Sequence, residues 1–424
     1  MGLTIELDAP KKSYLPGHVV KGNVVLHSKK DEPIEAVLIT FVGRSKTKIF
    51  VKHGKSSSSY RSLCTLFSCT KRLYSGKYTF NAGGRHSWPF EFEFPTQTDP
   101  LKGNDKFDSA GGSWPEPKDP HPLPPTFTMT ILGYNSSSDC SVEYKLEAEL
   151  SRPRDAPSSR NESSLDLTYL PSRREEFPSL LPKMTEQSFT ARSLRLLPER
   201  KHDRLSIKEK LWSTFKNSEL PCASFTVELA YPTQIYPGGP FPITLALKGM
   251  QTSEDVTADP TVTVKQLIIK VSAEVFCRGE ATLTLKEGNF SLDTVIVDTF
   301  GDINVELPGT INGAEAGAAS PVVDLGKLGK TKFSTQAVKC DFQTYNITLR
   351  HMLDVKAKLL CGGKDFKLNW RSPLKVLSPA YSPFAVPGPE AEPSSSQAKE
   401  ASTGISHLVR DGLTAVVPHV LNLL

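Results

Sequence analysis

The chain has 424 residues, of which 38% are hydrophobic, 8% aromatic and 23% charged, a composition typical of a globular protein long enough for two or three domains. Its 33 Pro and 28 Gly interrupt helices and exclude a protein built of long helices. The formal net charge of +5 is too small to indicate nucleic-acid binding, so no nucleic-acid partner is expected.

Alternating apolar and polar residues in the first half of the chain predict short β-strands. Segments with this period of two are 3–7, 18–26, 34–42, 78–80, 90–94, 126–132 and 141–150. Phe90, Phe92 and Phe94 would share one buried face. Short strands separated by turn signals are typical of an all-β sandwich or barrel.

Polar and Gly/Pro-rich segments interrupt these strands and predict three loops or insertions. They lie at about 52–60, 109–125 and 151–184. Alternation resumes at 185–197, which would close the first β-sandwich. The first domain is therefore expected to span residues 1–198.

Residues 199–221 have a different pattern and are expected to link two domains. Apolar residues recur there at helical spacing among Arg and Lys, which predicts a helix around Leu205, Ile207, Leu211, Trp212 and Phe215. A second set of alternating segments follows. It predicts a second β-sandwich of similar size at residues 222–378.

The segment 379–424 begins with a Pro-rich stretch that has too few apolar residues to form a core, and disorder is predicted. Its last twenty residues regain apolar positions near helical spacing, and Pro418 would kink or end such a helix. This terminal helix is a candidate docking peptide for an exposed sheet edge or a partner's groove. Its apolar residues are Ile405, Leu408, Val409, Leu413, Val416, Val417 and Val420.

Signatures of catalysis and of metal or cofactor binding are absent from the sequence. The nine His are isolated, and no His pair has the spacing of a metal site. Gly329-Lys330-Thr331 resembles the end of a phosphate-binding loop, but Asp324 stands where that loop needs Gly. We therefore expect no catalytic residue, no metal and no cofactor.

The cysteines and the first residues of the chain predict a cytoplasmic location. The seven Cys form no CxxC pair, as is typical of reduced thiols. The N-terminus lacks a basic region followed by an apolar run, and no apolar run reaches the roughly 18 residues of a membrane span.

Positive charge is concentrated in the first 100 residues, which hold 15 Lys and Arg against 8 Asp and Glu. Such a surplus could face phosphate groups or an anionic membrane surface. The alternative is an ordinary solvated basic face. The candidate residues for an anionic partner are Arg44, Lys46, Lys48, Lys52, Lys55, Lys71 and Arg72.

An ordered set of motifs carries a family resemblance. The set comprises Tyr14-Leu15-Pro16-Gly17, Val20-Lys21-Gly22, Phe41-Val42-Gly43, the segment 88–95 (WPFEFEFP), the segment 123–127 (LPPTF) and the segment 142–150 (VEYKLEAEL). In this order the motifs resemble the N-terminal domain of arrestins, particularly the α-arrestin branch. The second half resembles the arrestin C-terminal domain through Pro237-Gly238, 264–275 and 345–376.

This resemblance implies two immunoglobulin-like arrestin-type β-sandwiches and a non-enzymatic adaptor. Such adaptors bind cytoplasmic parts of membrane transporters or receptors, so a peripheral location at the plasma membrane or endosomes is expected. α-Arrestins recruit a WW-domain ubiquitin ligase through PPxY motifs, and the cargo is ubiquitinated and internalised. The chain has no PPxY, because Pro124-Pro125-Thr126-Phe127 ends in Phe, and recruitment of a ligase is therefore expected to be indirect.

Two alternatives remain open. A retromer-like sorting subunit shares the arrestin fold. A carbohydrate-active or other hydrolytic β-sandwich enzyme belongs to a different functional class, and the absence of a carboxylate pair weighs against it.

Overall fold

The computed structural model describes residues 2–100, 120–153, 161–171, 182–201, 203, 206–209, 215, 217–235, 241–258, 260–281, 284–300, 303–307, 323–324 and 339–378. The strands of the first half are β1 Gly2–Leu7, β2 Val19–His27, β3 Glu32–His53, β4 Ser56–Phe80, β5 Arg85–Glu93, β6 Phe127–Leu132, β7 Ser136–Ser151 and β8 Asn161–Leu167. Those that follow are β9 Lys183–Arg192, β10 Cys222–Tyr231, β11 Gln234–Ile235, β12 Thr244–Thr252, β13 Val262–Ala281, β14 Thr284–Phe300, β15 Val305–Leu307, β16 Val323–Asp324, β17 Phe342–Gln343, β18 Ile347–Cys361 and β19 Lys364–Val376.

Three sheets enclose two hydrophobic cores. The sheet β1-β2-β5 covers the first core, and the sheet β16-β12-β10-β9 covers the second. A twelve-stranded sheet closes both cores from the other side; eight of its strands follow the order β11-β19-β18-β13-β4-β3-β7-β6. Of the other four, β14 and β15 pair with β13, β17 pairs with β18 and β8 pairs with β7. The prediction of an all-β protein of two β-sandwiches is confirmed, and the long sheet that both sandwiches share was not predicted.

Aromatic side chains fill the first core. Phe90, Phe92 and Phe94 are all buried, as the alternation predicts. Phe94 packs edge-on against Phe41, with ring centroids 4.7 Å apart, and stacks on Tyr169 at 5.0 Å. Edge-to-face and stacked pairs of this kind stabilise a core beyond the area they bury.

The hairpin of β3 and β4 corrects the insertion expected at 52–60. His53 pairs with Ser56, so Gly54 and Lys55 form a two-residue turn and the four serines lie in β4. Gly54 has a φ of 62°, which only glycine adopts without steric cost. The polar composition of 52–60 does not predict strands, because the ends of β3 and β4 extend beyond the core and are exposed to solvent. In the expected insertion at 151–184, Asn161–Leu167 likewise forms a strand, which pairs with β7.

Strand β9 corrects the expectation that 185–197 closes the first sandwich. It pairs with β10 from Arg192–Cys222 to Lys183–Tyr231, and Ala191 is buried in the second core. Alternation identified a strand here but not its partner, since a period of two is the same in any sheet. The domain limits at 198 and 221 stay predictions.

The helix predicted within 199–221 falls largely outside the described residues. Residues 207–209 and 215 are helical, with short 3₁₀ helices at Leu194–Leu196, Pro198–Arg200 and Asn217–Glu219. Ile207 and Phe215 are exposed. The disordered segment and terminal helix predicted at 379–424 also lie outside the described residues.

A buried polar network joins the two halves of the chain. The Ser45 hydroxyl donates to Asn346 Oδ1, and Asn346 Nδ2 donates to the Ser45 carbonyl and to Ser62 Oγ, each at 3.2 Å. Thr47 Oγ1 donates to the carbonyl of Arg278, whose N–H donates to the carbonyl of Asn346 at 3.1 Å. Because buried polar groups are costly without partners, this network fixes how β3 meets β13 and β18.

Replacement of Asn346 should weaken this junction. We expect Asn346→Ala to lower the free energy of unfolding by about 1–3 kcal/mol, because the buried Ser45 carbonyl and Ser62 hydroxyl lose their donor. The measurement is urea unfolding followed by tryptophan fluorescence. Asn369→Ala, at an exposed position of β19, is the matched control and should leave the midpoint unchanged. Equal midpoints for wild type and Asn346→Ala would contradict the role of the network.

Substitution of Gly22 tests whether the close approach of β1 and β2 requires glycine at this position. A Cβ on Gly22 would lie 2.1 Å from the Glu6 carbonyl oxygen, whereas a Cβ on Gly249 in β12 would meet nothing within 4 Å. Gly22→Ala should therefore destabilise the protein by about 1–3 kcal/mol. Gly249→Ala should be neutral or stabilising by up to about 1 kcal/mol, since it restricts the unfolded chain. The same unfolding assay compares them, and equal effects of the two substitutions would refute the steric argument.

Candidate functional site

Strand β3 presents two chemically different sides. Ser45, Thr47 and Ile49 point inward and are buried. Residues 44, 46 and 48 alternate with them and point away from the core, on what we call the outer face of the sheet β4-β3-β7-β6. Several of the predicted anion-binding residues therefore share one side because a strand has a period of two.

Two of the cations on the outer face are neutralised by acidic residues of β7. Arg44 forms a bidentate ion pair with Glu147, with Nη2 2.7 Å from Oε2. Lys46 Nζ lies 2.6 Å from Glu143 Oε2, and Lys145 Nζ lies 3.2 Å from the same carboxylate. Arg44 and Lys46 thus hold β3 to β7, which limits the charge that they offer to a partner.

Glu143 is held in its charged form by these neighbours. Burial alone would raise the pKa of its carboxyl, but hydrogen bonds from Lys46, Ser141 and Lys145 outweigh burial and lower the pKa to about 2. The ion pair is therefore intact at neutral pH.

Lys48 and Arg61 are the cations that remain available at the centre of the outer face. They lie directly opposite each other on β3 and β4, and neither forms an ion pair with an acidic side chain that the structure describes; on the other side of β4, Glu280 of β13 pairs with Arg61 in the backbone register. Asp139 faces Lys48 from β7, and its Oδ1 accepts a hydrogen bond from Thr130 Oγ1 at 2.9 Å. Coulomb repulsion between Lys48 and Arg61 favours an anion beside them.

A shallow cavity of about 810 Å³ lies along these residues, and we call it the trough. Its floor and sides come from β3, β4, β6 and β7, and include Lys46, Lys48, Arg61, Leu63, Thr130, Asp139 and Glu143. Leu63 is 63% exposed there, which is unusual for a leucine in a strand. The trough combines an uncovered apolar side chain with two available cations.

The other predicted anion-binding residues lie elsewhere. Lys71 Nζ donates to the Glu91 carbonyl and sits 4.9 Å from the centre of the Phe92 ring, beside the other sheet. Arg72 is opposite Leu38 on β3, ten residues from Lys48, which corresponds to about 33 Å along the strand. Lys52 and Lys55 lie at the end of the β3–β4 hairpin. The seven residues therefore do not form one patch.

Sequence reasoning missed Arg61 and Leu63 and the acidic partners Glu143 and Glu147. The cross-strand register brings these residues to the outer face, and that register depends on the β3–β4 hairpin, whose end at 52–60 the sequence predicts as a loop. The docking-tail residues between Ile405 and Val420 lie outside the described part of the chain.

The described residues lack two features that other functions would need. No group of three or more His, Cys, Asp or Glu side chains there is placed to hold a metal ion. Among the same residues, no helix is both long and apolar enough to span a bilayer.

The ionised Glu143 should contribute stability that depends on pH. Its folded pKa of about 2 is below its ordinary value of 4.5, so the contribution is complete above about 4.5 and is lost as pH falls toward 2. Glu143→Gln should therefore lower the urea midpoint more at pH 7 than at pH 3. The exposed Glu93→Gln is the control and should have little effect at either pH. An equal loss at both pH values for Glu143→Gln would contradict the linkage.

Two of the four strands that line the trough, β3 and β4, lie in a segment that matches a known domain. Residues 3–103 match the family model described as Arrestin (or S-antigen), N-terminal domain. The matched segment includes Lys48, Arg61 and Leu63. A search of curated proteins found no match. The arrestin resemblance inferred from the motifs is confirmed for this segment, and the α-arrestin branch stays a prediction. Residues 3–103 of this chain are therefore similar to the N-terminal domain of arrestins.

Proposed function

We propose that the protein is a non-enzymatic adaptor that binds cytoplasmic parts of membrane transporters or receptors through the trough. The observation that carries the proposal is the pair Lys48 and Arg61 beside the exposed Leu63, within the segment that matches the arrestin N-terminal domain. A volume of about 810 Å³ lies within the range of ligand-binding clefts.

The chemistry of the trough favours an extended acidic or phosphorylated segment with an apolar residue nearby. Lys48 and Arg61 point to the same side from neighbouring strands, so together they can pair with one phosphate or with two carboxylates. Leu63 follows Arg61 by two residues, on the same face of β4, and can cover an apolar side chain of the same peptide. Charge would set the rate and specificity of binding, and the apolar contact would add affinity.

The trough does not favour the hydrolytic alternative. Acid–base hydrolysis of a glycoside needs two carboxyl groups that are free to exchange protons. Glu143 is held charged by Lys46 and Lys145, and Asp139 accepts a hydrogen bond from Thr130. The two carboxylates of the trough are therefore engaged in holding the sheet together.

We further propose that the adaptor promotes ubiquitin-linked endocytosis or sorting of its cargo, with the ligase recruited indirectly. Pro124 and Pro125 are buried, and the Tyr144 hydroxyl donates to the Pro124 carbonyl at 2.6 Å. A WW domain needs an exposed polyproline segment, so this di-proline is not available to it. Recruitment through a second protein, or through a segment outside the described residues, is consistent with the absence of PPxY.

Charge reversal in the trough tests cargo binding. We expect Lys48→Glu with Arg61→Glu to weaken binding of an acidic or phosphoserine peptide by about tenfold, and the difference should shrink at high salt. The dissociation constant is measured by fluorescence anisotropy with a labelled peptide from a transporter or receptor tail. The matched control, Arg72→Glu with Lys77→Glu, makes the same change in net charge at the far end of β4 and should retain most of the affinity.

Equal losses in both double variants would mean that only the overall charge matters and would contradict a binding site in the trough. Proximity labelling in cells, with wild type and the trough variant, then identifies which membrane proteins depend on Lys48 and Arg61.

A further inference from the structure

Two tight turns lie side by side at one end of the outer face, and we call them together the tip. One turn is Gly54-Lys55 between β3 and β4, and the other is Tyr134-Asn135 between β6 and β7. The Lys52 N–H donates to the Asn135 carbonyl at 2.8 Å, which ties the turns together, and the Gly133 N–H donates to the Ser136 carbonyl at 2.7 Å. Backbone hydrogen bonds therefore hold the two turns of the tip in place.

Apolar side chains project from the tip into solvent. Tyr134 is 98% exposed and Leu132 is 81% exposed, and Tyr134 is the most exposed large apolar residue among those that the structure describes. Single exposed apolar residues are common, but one in a tight turn and another at the end of the strand that leads into it indicate a contact surface.

Positive charge surrounds these two residues. Lys52 and Lys55 are exposed on the neighbouring hairpin, and neither forms an ion pair with another described residue. The segments 52–58 and 132–138, which make up both turns and their flanks, contain no Asp or Glu. The nearest acidic residue in either sequence, Asp139, accepts a hydrogen bond from Thr130. The tip thus combines exposed apolar side chains with an unopposed cationic rim.

We propose that the tip inserts into the interface of an anionic lipid bilayer. The Tyr134 ring would lie at the level of the headgroups, Leu132 would enter the upper acyl region, and Lys52 and Lys55 would face lipid phosphates. A fluid bilayer can close around side chains that are as exposed as Tyr134 and Leu132. Charge complementarity with anionic headgroups selects the same partner.

This inference adds a second contact to the proposed adaptor and does not depend on it, because lipid binding is measured without cargo. Lys52 follows Lys48 by four residues on β3, which corresponds to about 13 Å along the strand. A tip at the bilayer surface therefore places the trough within reach of a cytoplasmic segment close to where it leaves the membrane.

Vesicle binding by the full chain tests the proposal. The probe is phosphatidylcholine vesicles with about 30 mol% phosphatidylserine, compared with phosphatidylcholine alone. Wild type should bind the anionic vesicles preferentially. Leu132→Ser with Tyr134→Ser should lower the partition coefficient by about tenfold at any salt concentration. Lys52→Gln with Lys55→Gln should lower it about tenfold at low salt and less at high salt.

Matched controls separate the tip from the rest of the surface. Met184→Ser removes a comparably exposed apolar side chain from β9, and Lys356→Gln with Lys367→Gln removes two exposed lysines from β18 and β19. Both control variants should bind vesicles like wild type. For insertion itself, Tyr134→Trp should be quenched by brominated lipid, and Met184→Trp should not.

Three results would overturn the proposal. The first is that wild type does not bind anionic vesicles. The second is that Leu132→Ser with Tyr134→Ser binds vesicles as wild type does. This holds even if the lysine variant fails to bind vesicles or a soluble inositol phosphate. The tip would then bind phosphate groups without inserting into the bilayer. The third is that the control variants lose as much binding as the tip variants. A failure of peptide binding to the trough, with vesicle binding intact, would contradict only the adaptor proposal.

Discussion

The buried junction between β3 and the strands β13 and β18 determines the geometry of the rest of the molecule. Strand β13 contributes Ile269 and Val271 to the second core, and Val275 and Cys277 to the first. Along this shared region, Ser45 and Asn346 exchange hydrogen bonds between neutral groups. Beside them lies the buried Arg278, whose Nε donates to the Tyr345 carbonyl at 2.6 Å, and together these hydrogen bonds require one relative position of the two halves.

The same strand that forms this junction also presents the candidate binding residues. Because successive side chains of β3 point in opposite directions, the buried Ser45 and Thr47 orient the outward Lys46 and Lys48. Ion pairs to β7 then neutralise Arg44 and Lys46 but not Lys48. Among the lysines and arginines of the hairpin, Lys48 and Arg61 lie in the trough and Lys52 and Lys55 at the tip, whereas Lys71, Arg72 and Lys77 lie toward the other end of β4.

Much of the fold was accessible from the sequence, because alternation depends only on local burial. The segment 90–94 shows this well, since its three phenylalanines are buried as predicted. The partner of each strand was less accessible. Strand β9 alternates as any half-buried strand does, and only the structure shows that it pairs with β10. The trough was missed for the same reason, since Lys48 and Arg61 are thirteen positions apart in sequence and meet only through the register of the hairpin.

The first core includes residues from the second half of the chain, which the ribosome synthesises last. Its buried members from the second half of the chain are Ala273, Val275, Cys277, Phe342, Tyr345, Ile347 and Leu349. A nascent chain that has emerged only to residue 198 lacks all of these side chains and leaves the corresponding face of its first domain open to water. Contacts between residues some 300 positions apart form slowly, because a long loop must close before they stabilise anything. Folding of the first domain is therefore coupled to synthesis of the second, and during translation the incomplete apolar face is a site where a chaperone would be needed.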